Sequence, residues 1–100
     1  MLLGVDKLKK IQLEDTFYTV EKDYKNGFDL EAVEYLYTDY FEPFDYIVGD
    51  WSYGKLRLKG FCKKENTLYK HINDYHFVED YIRDCCSYDC RYFVLRKESK

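Results

Sequence analysis

The stretch Tyr46-Ile47-Val48-Gly49-Asp50-Trp51-Ser52-Tyr53-Gly54-Lys55-Leu56-Arg57-Leu58-Lys59 reads as two strands and the turn between them. Tyr46-Ile47-Val48 is built of strand formers, and the strand is expected to reach Trp51. Lys55 to Lys59 alternates strictly between basic residues and leucine, the pattern of a strand with one wet face. Between them, Asp50-Trp51-Ser52-Tyr53-Gly54 has the length and the terminal glycine of a hairpin connection. An antiparallel hairpin in the middle of the chain commits the fold to a sheet.

Working outward, Phe17-Tyr18-Thr19-Val20 predicts a strand over 16–23, and Asn26-Gly27 a turn after it. Asp29 can cap a helix, with Glu31 near its positive end. Leu30, Val33, Tyr37 and Tyr40 recur at helical spacing, so the helix is expected over 30–41, stopped by Pro43. On the other side of the hairpin, residues 62–73 are polar and read as a loop. Asn73 or Asp74 can cap a second helix whose stripe is Tyr75, Val78, Ile82 and Cys85 or Cys86. Ser87-Tyr88-Asp89 turns the chain into Tyr92-Phe93-Val94-Leu95, a strand apolar on both faces and therefore central. The order is β-α-β-β-α-β. The expectation is an α+β fold, a four-stranded, largely antiparallel sheet with two helices on one face. Leu56, Leu58, Val94 and Ile82 are expected in one core.

A chain of 100 residues is read as a single domain over 1–100. Such a chain buries roughly 60–65% of its unfolded surface, enough for a core. Its 46% hydrophobic and 35% charged residues exclude disordered and fibrous classes. Twelve Tyr and seven Phe are a heavy aromatic load, and Tyr suits the half-buried margin of a core. The apolar runs are far shorter than the roughly 20 residues of a membrane-spanning helix. Met1-Leu2-Leu3-Gly4-Val5, followed by Asp6, is too short for a signal peptide. The expected location is cytoplasmic, where cysteines stay reduced.

A family resemblance is carried by Phe44-Asp45-Tyr46-Ile47-Val48-Gly49-Asp50-Trp51-Ser52-Tyr53-Gly54-Lys55-Leu56-Arg57-Leu58-Lys59-Gly60-Phe61. That segment resembles the signature of the YutD-like family, small proteins of low-G+C Gram-positive bacteria. Cys86-Ser87-Tyr88-Asp89-Cys90-Arg91-Tyr92-Phe93-Val94-Leu95-Arg96 is a second match. The resemblance implies an intracellular α+β protein. It implies no reaction, cofactor or catalytic residue.

The residues themselves offer few constellations with chemistry. Cys86 and Cys90 have the spacing of one zinc-ligand pair, but Cys62 stands alone and His71 and His76 lack a cysteine pair before them. Four free thiols and no metal are expected, with buried cysteine acting as a small hydrophobe. No nucleophile elbow or phosphate-binding glycine loop occurs. Asp45 and Asp50 flank a strand and are read as turn or cap residues.

Charge is the better signal. Residues 51–70 carry six basic and one acidic side chain in a chain of net charge −3. If Leu56 and Leu58 face the core, Lys55, Arg57 and Lys59 project together from the other face, about 6.6 Å apart. That matches the spacing of phosphates along a nucleic-acid strand, about 6–7 Å by the same reasoning. Trp51 and Tyr53 lie beside them and could stack on bases. Basic residues on an edge strand also deter pairing with other chains. Trp51 could equally anchor the hairpin to the core. The binding surface is therefore expected at Asp50, Trp51, Tyr53, Lys55, Arg57 and Lys59. Two functions fit: a non-catalytic interaction or regulatory module with a protein partner, and an RNA-binding accessory protein using the basic hairpin. Neither calls for a cofactor or a membrane.

Overall fold

The computed structural model describes residues 9–85 and 90–98. Five strands and two α-helices follow in the order β1 (Lys9–Leu13), β2 (Thr16–Tyr24), α1 (Leu30–Leu36), β3 (Tyr46–Ser52), β4 (Lys55–Phe61), α2 (Val78–Cys85) and β5 (Tyr92–Lys97). They form one antiparallel sheet in the order β1-β2-β5-β3-β4. The α+β class and the central place of the last strand agree with the sequence. The four-strand count does not, because β1 was not anticipated. Its Ile11 and Leu13 are buried and alternate with exposed Lys10 and Gln12. Its turn carries neither glycine nor asparagine, however; Glu14 takes the left-handed conformation instead (φ 55°).

The sheet is covered on both sides, which corrects the expectation of two helices on one face. On one face, Phe93 and Leu95 of β5 pack with Ile47, Tyr18, Val20, Ile11 and Leu13, under Val33 of α1 and the Tyr37 that ends it. On the other, Val94 packs with Tyr46, Val48 and Phe61, under Val78, Tyr81 and Ile82 of α2. The expected single core of Leu56, Leu58, Val94 and Ile82 is thus divided. Leu56 and Leu58 pack on the α1 side while Val94 and Ile82 lie on the α2 side. Gly49 of β3 stands over the Phe93 ring, where any Cβ would overlap it.

The first helix begins as expected, with the Asp29 carboxylate accepting from the Ala32 N–H at 3.2 Å. It ends at Leu36, not 41. Tyr37 turns extended (ψ 133°), and its hydroxyl meets that of buried Tyr18 at 3.0 Å. Burial, helped by the Tyr37 hydrogen bond, pushes the Tyr18 phenol far up. Thr38 then offers its hydroxyl to the Tyr40 N–H at 3.3 Å and starts a 3-10 turn over Asp39–Phe41. The connection after β4 contains two more such turns, His71–Asn73 and Tyr75–Phe77, the second leading into α2. The expected turn at Ser87-Tyr88-Asp89 lies outside the described residues.

Leu95 is fully buried, whereas Leu58 is only half-buried. Leu95→Ala should cost about 2–5 kcal/mol, and Leu58→Ala about 1 kcal/mol. Urea melts of both variants check this order. A larger loss at Leu58 would mean that β4 is buried on its outer side.

Candidate functional site: the hairpin and the open edge of the sheet

The hairpin turn is shorter than the sequence suggested. Only Tyr53 and Gly54 form it, both left-handed (φ 53° and 77°), the two-residue geometry whose twist matches the flanking strands. Asp50, Trp51 and Ser52 belong to β3 and pair with Arg57, Leu56 and Lys55. At the tip Tyr53 is 99% exposed, and Lys55 beside it is exposed too.

Asp50 is not a turn residue. Its side chain is 1% exposed and accepts from Arg57 Nε at 3.0 Å and Nη2 at 2.8 Å. This bidentate pair crosses the ladder between directly opposed residues and holds the guanidinium against the sheet. Asp45 lies in the bend before β3, but its side chain bonds a distant loop and not its own turn. It accepts the Lys63 N–H at 2.8 Å and an Asn66 amide N–H at 3.2 Å, tying the loop after β4 to the start of β3.

Trp51 turns to the opposite face from Asp50. Its indole N–H donates to the Gly27 carbonyl at 2.7 Å, and the Arg91 guanidinium lies 4.6 Å from its ring centroid. Arg91 also donates to the Asn26 carbonyl at 2.9 Å. Trp51 therefore ties the hairpin to the turn after β2, the anchoring role the sequence left open. Sequence reading had no route to Gly27 and Arg91, which lie 24 and 40 residues from Trp51.

The basic ladder is only partly available. Lys55, Arg57 and Lys59 do share one face, but Arg57 is engaged by Asp50. Lys59 Nζ lies 5.2 Å from the Phe61 ring and 5.8 Å from the Tyr81 ring. Double substitution of Arg57 and Lys59 by acids therefore cannot leave the fold untouched, because it would set two carboxylates against each other.

A groove missed by sequence reading runs along the outer edge of β4. It has a volume of about 620 Å³, and Leu58, Lys59 and Gly60 of β4 line it. Tyr40 and Phe44, from the segment before β3, and Leu68, Lys70 and Ile72, from the loop after β4, also line it. Tyr40, Leu68 and Ile72 are exposed large side chains. Leu68 and Ile72 are the only faint signal, two apolar residues in a polar loop.

That loop is organised by Asp74. Its carboxylate accepts from the Tyr69 hydroxyl at 2.7 Å, the His76 N–H at 2.8 Å and the His76 ring at 3.0 Å. These bonds, led by the Tyr69 hydroxyl, hold the Asp74 carboxyl well below the ordinary carboxylate value, at about 2. Beside it, Cys62 donates its N–H to the Asn73 carbonyl and accepts the Tyr75 N–H, both at 2.8 Å.

Cys62 is a free, buried cysteine, and burial pushes its thiol up. Cys90, by contrast, is disulfide-bonded, which overturns the expectation of four free thiols. Its partner lies outside the residues whose side chains are described. Spacing alone offered Cys86 and Cys90 as metal ligands or thiols; cross-linking depends on how the chain returns to β5. Among the described residues, no group of three or more His, Cys, Asp or Glu could hold a metal ion. None of their helices is long and apolar enough to cross a membrane.

A family model described as "Putative antitoxin YutD-like" matches residues 12–96. The chain belongs to the YutD-like family. It is similar to a protein of Bacillus subtilis (strain 168) named "Putative antitoxin YutD", 37% identical over 90 residues, covering 90% of this chain and 99% of that one. The solution NMR structure of protein yutD from B. subtilis superposes with a TM-score of 0.78 at 34% identity, covering 97% of this chain and 88% of that one. The match spans both the locked hairpin and the Asp74 loop.

Arg57→Ala strands the buried Asp50 carboxylate and should cost about 2–3 kcal/mol, below the 3–5 of a fully buried pair because water reaches the guanidinium. Asp50→Asn combined with Arg57→Met should recover much of that loss in a double-mutant cycle. Independent, additive losses would mean that the pair is not coupled.

Asp74 sets a pH signature. A carboxyl held at about 2 when folded, against an ordinary 3.8, stabilises the fold above pH 3.8 and loses that contribution as pH falls through 2. The stability gap between wild type and Asp74→Asn should therefore shrink between pH 5 and pH 2 in urea melts. A constant gap would show that Asp74 does not titrate in that window.

Proposed function

We propose that this chain is a non-catalytic interaction module that binds a protein partner through the tip and outer strand of the β3–β4 hairpin. The observation that carries this reading is the presentation of Tyr53. A large amphipathic ring is held 99% exposed on a two-residue turn, and the strands behind it are locked by the Asp50–Arg57 pair and the Trp51 anchor. Tyrosine is enriched at interfaces, and rigid presentation lowers the entropy lost on binding. Tyr53 and Lys55 meet the partner; Lys59 borders the contact. Asp50, Trp51 and Arg57 hold the hairpin in shape.

The name given to the relatives points the same way. An antitoxin is defined by another molecule that it neutralises, and a protein toxin is the partner this reading assigns. RNA binding is less well supported, since Arg57 and Trp51 each have intramolecular partners where phosphates and bases would sit. The reading assumes a cytosolic protein, as the short apolar runs of the sequence suggest.

A photo-crosslinking phenylalanine at position 53, compared with the same group at Tyr35, tests this in native lysate. Tyr35 is 89% exposed on α1 and serves as the control. Position 53 should give a discrete adduct that protease removes and nuclease does not. Equal labelling at both positions, or adducts removed by nuclease, would refute the reading.

A further inference from the structure

Among the described residues, strand β4 is paired along its length with β3 alone. The ladder fixes which backbone groups point away from β3. In a two-residue hairpin the pair next to the turn, Ser52 and Lys55, exchanges both hydrogen bonds, and such pairs alternate along the strands. Lys55, Arg57, Lys59 and Phe61 therefore direct their N–H and C=O groups inward. Leu56, Leu58 and Gly60 direct theirs outward. Next in that outward series is Cys62, whose N–H and C=O are bonded to Asn73 and Tyr75, in a parallel bridge centred on Asp74. The chain itself thus begins a sixth strand at one position of the edge and then leaves it for α2.

The groove described above includes the remaining part of that edge, Leu58 to Gly60, and is lined as well by Tyr40, Phe44, Leu68 and Ile72. Its charge selects the occupant. Among the described lining residues, Lys59 and Lys70 stand against one acid, Asp39, and Lys55 continues the basic row. A second copy of this chain is disfavoured at the same edge. Antiparallel pairing of β4 with itself would set Lys55, Arg57 and Lys59 directly opposite one another, and like charges so placed are destabilising.

We propose that the open edge of β4 takes an extended, acidic segment of a partner protein as an added strand, its backbone pairing with Leu56, Leu58 and Gly60 and its apolar side chains seated in the groove that Tyr40 and Ile72 line. Backbone pairing supplies affinity without sequence demand; alternating acidic and apolar residues supply the selection. The inference rests on the interaction reading above and names the chemistry of the partner.

The probe is a fluorescein-labelled peptide, Glu-Val-Glu-Ile-Glu-Val-Glu, titrated against the full chain. It should bind at least tenfold more tightly than its Lys-for-Glu counterpart and weaken as salt rises from 50 to 500 mM. The same peptide N-methylated at alternate amides, in both phases, should lose at least tenfold in one phase, because one set of donors is needed. Amide exchange of Leu56, Leu58 and Gly60 should slow on binding. Lys59→Glu with Lys70→Glu, checked as folded by circular dichroism, should invert the preference toward the basic peptide. Equal binding of both N-methylated forms, no slowing at the three amides, preference for the basic peptide by the unmodified chain, or tighter binding of a single-stranded RNA twelve-mer would each overturn the proposal. Silence of the acidic peptide while the Tyr53 adduct still forms would remove the edge inference and leave the hairpin reading standing. Absence of the adduct with the peptide bound would do the reverse.

Discussion

Strand β5 sends Phe93 and Leu95 to one side of the sheet and Val94 to the other, and all three are buried. A strand apolar on both faces must sit inside the sheet and must be covered twice. The rest of the architecture follows from that. β2 and β3 flank β5, α1 covers one side and α2 the other, and each helix is short because it only has to close its own patch. The turn after β2 and Arg91, just before β5, then lie near the Trp51 end of the hairpin, where Gly27 and Arg91 meet the indole. The hairpin is left at the margin of the sheet, with β4 outermost.

This arrangement explains how charge is used. Residues 51–70 are strongly basic in sequence, yet the structure divides that charge into two kinds. Arg57 is placed opposite a buried Asp50, where its positive charge is matched and its removal would leave a carboxylate in a poorly hydrated site. Lys55 and Lys70 stay exposed, and Lys59 lies over aromatic rings beside the groove. The electrostatic character of the edge is thus narrower than the composition implies. It is concentrated where β4 is unpaired, and it is bordered by exposed Tyr40, Leu68 and Ile72. Exposed apolar side chains rimmed by charge mark interaction surfaces more often than solvent-facing decoration.

Local patterns carried much of this in the sequence. The hairpin, the strand near residues 16–23, the cap at Asp29, a cap at Asn73 or Asp74 (a place that Asp74 takes) and the central place of Tyr92-Phe93-Val94-Leu95 are all legible. Each depends on residues a few positions apart, through alternation, helical spacing or a side chain that bonds its own backbone. The errors have a common cause. The first strand was hidden because Glu14 makes its turn without glycine or asparagine. The first helix stopped early because Tyr37 turns to a hydroxyl 19 residues away. Asp50 looked like a turn residue because nothing local distinguishes a carboxylate at a turn from one buried beneath an arginine seven positions later.

By itself, then, the sequence determined the α+β class, the antiparallel hairpin, the family and the basic character of the middle segment. These rest on short-range periodicity and on side-chain chemistry. Only the tertiary structure decided which face each helix covers, which cations are neutralised, that Trp51 is an anchor, and that β4 lies at an open edge beside a groove. Those are outcomes of which distant segments share a sheet. Strand order is set by burial summed over both faces, a quantity that no local window of residues contains.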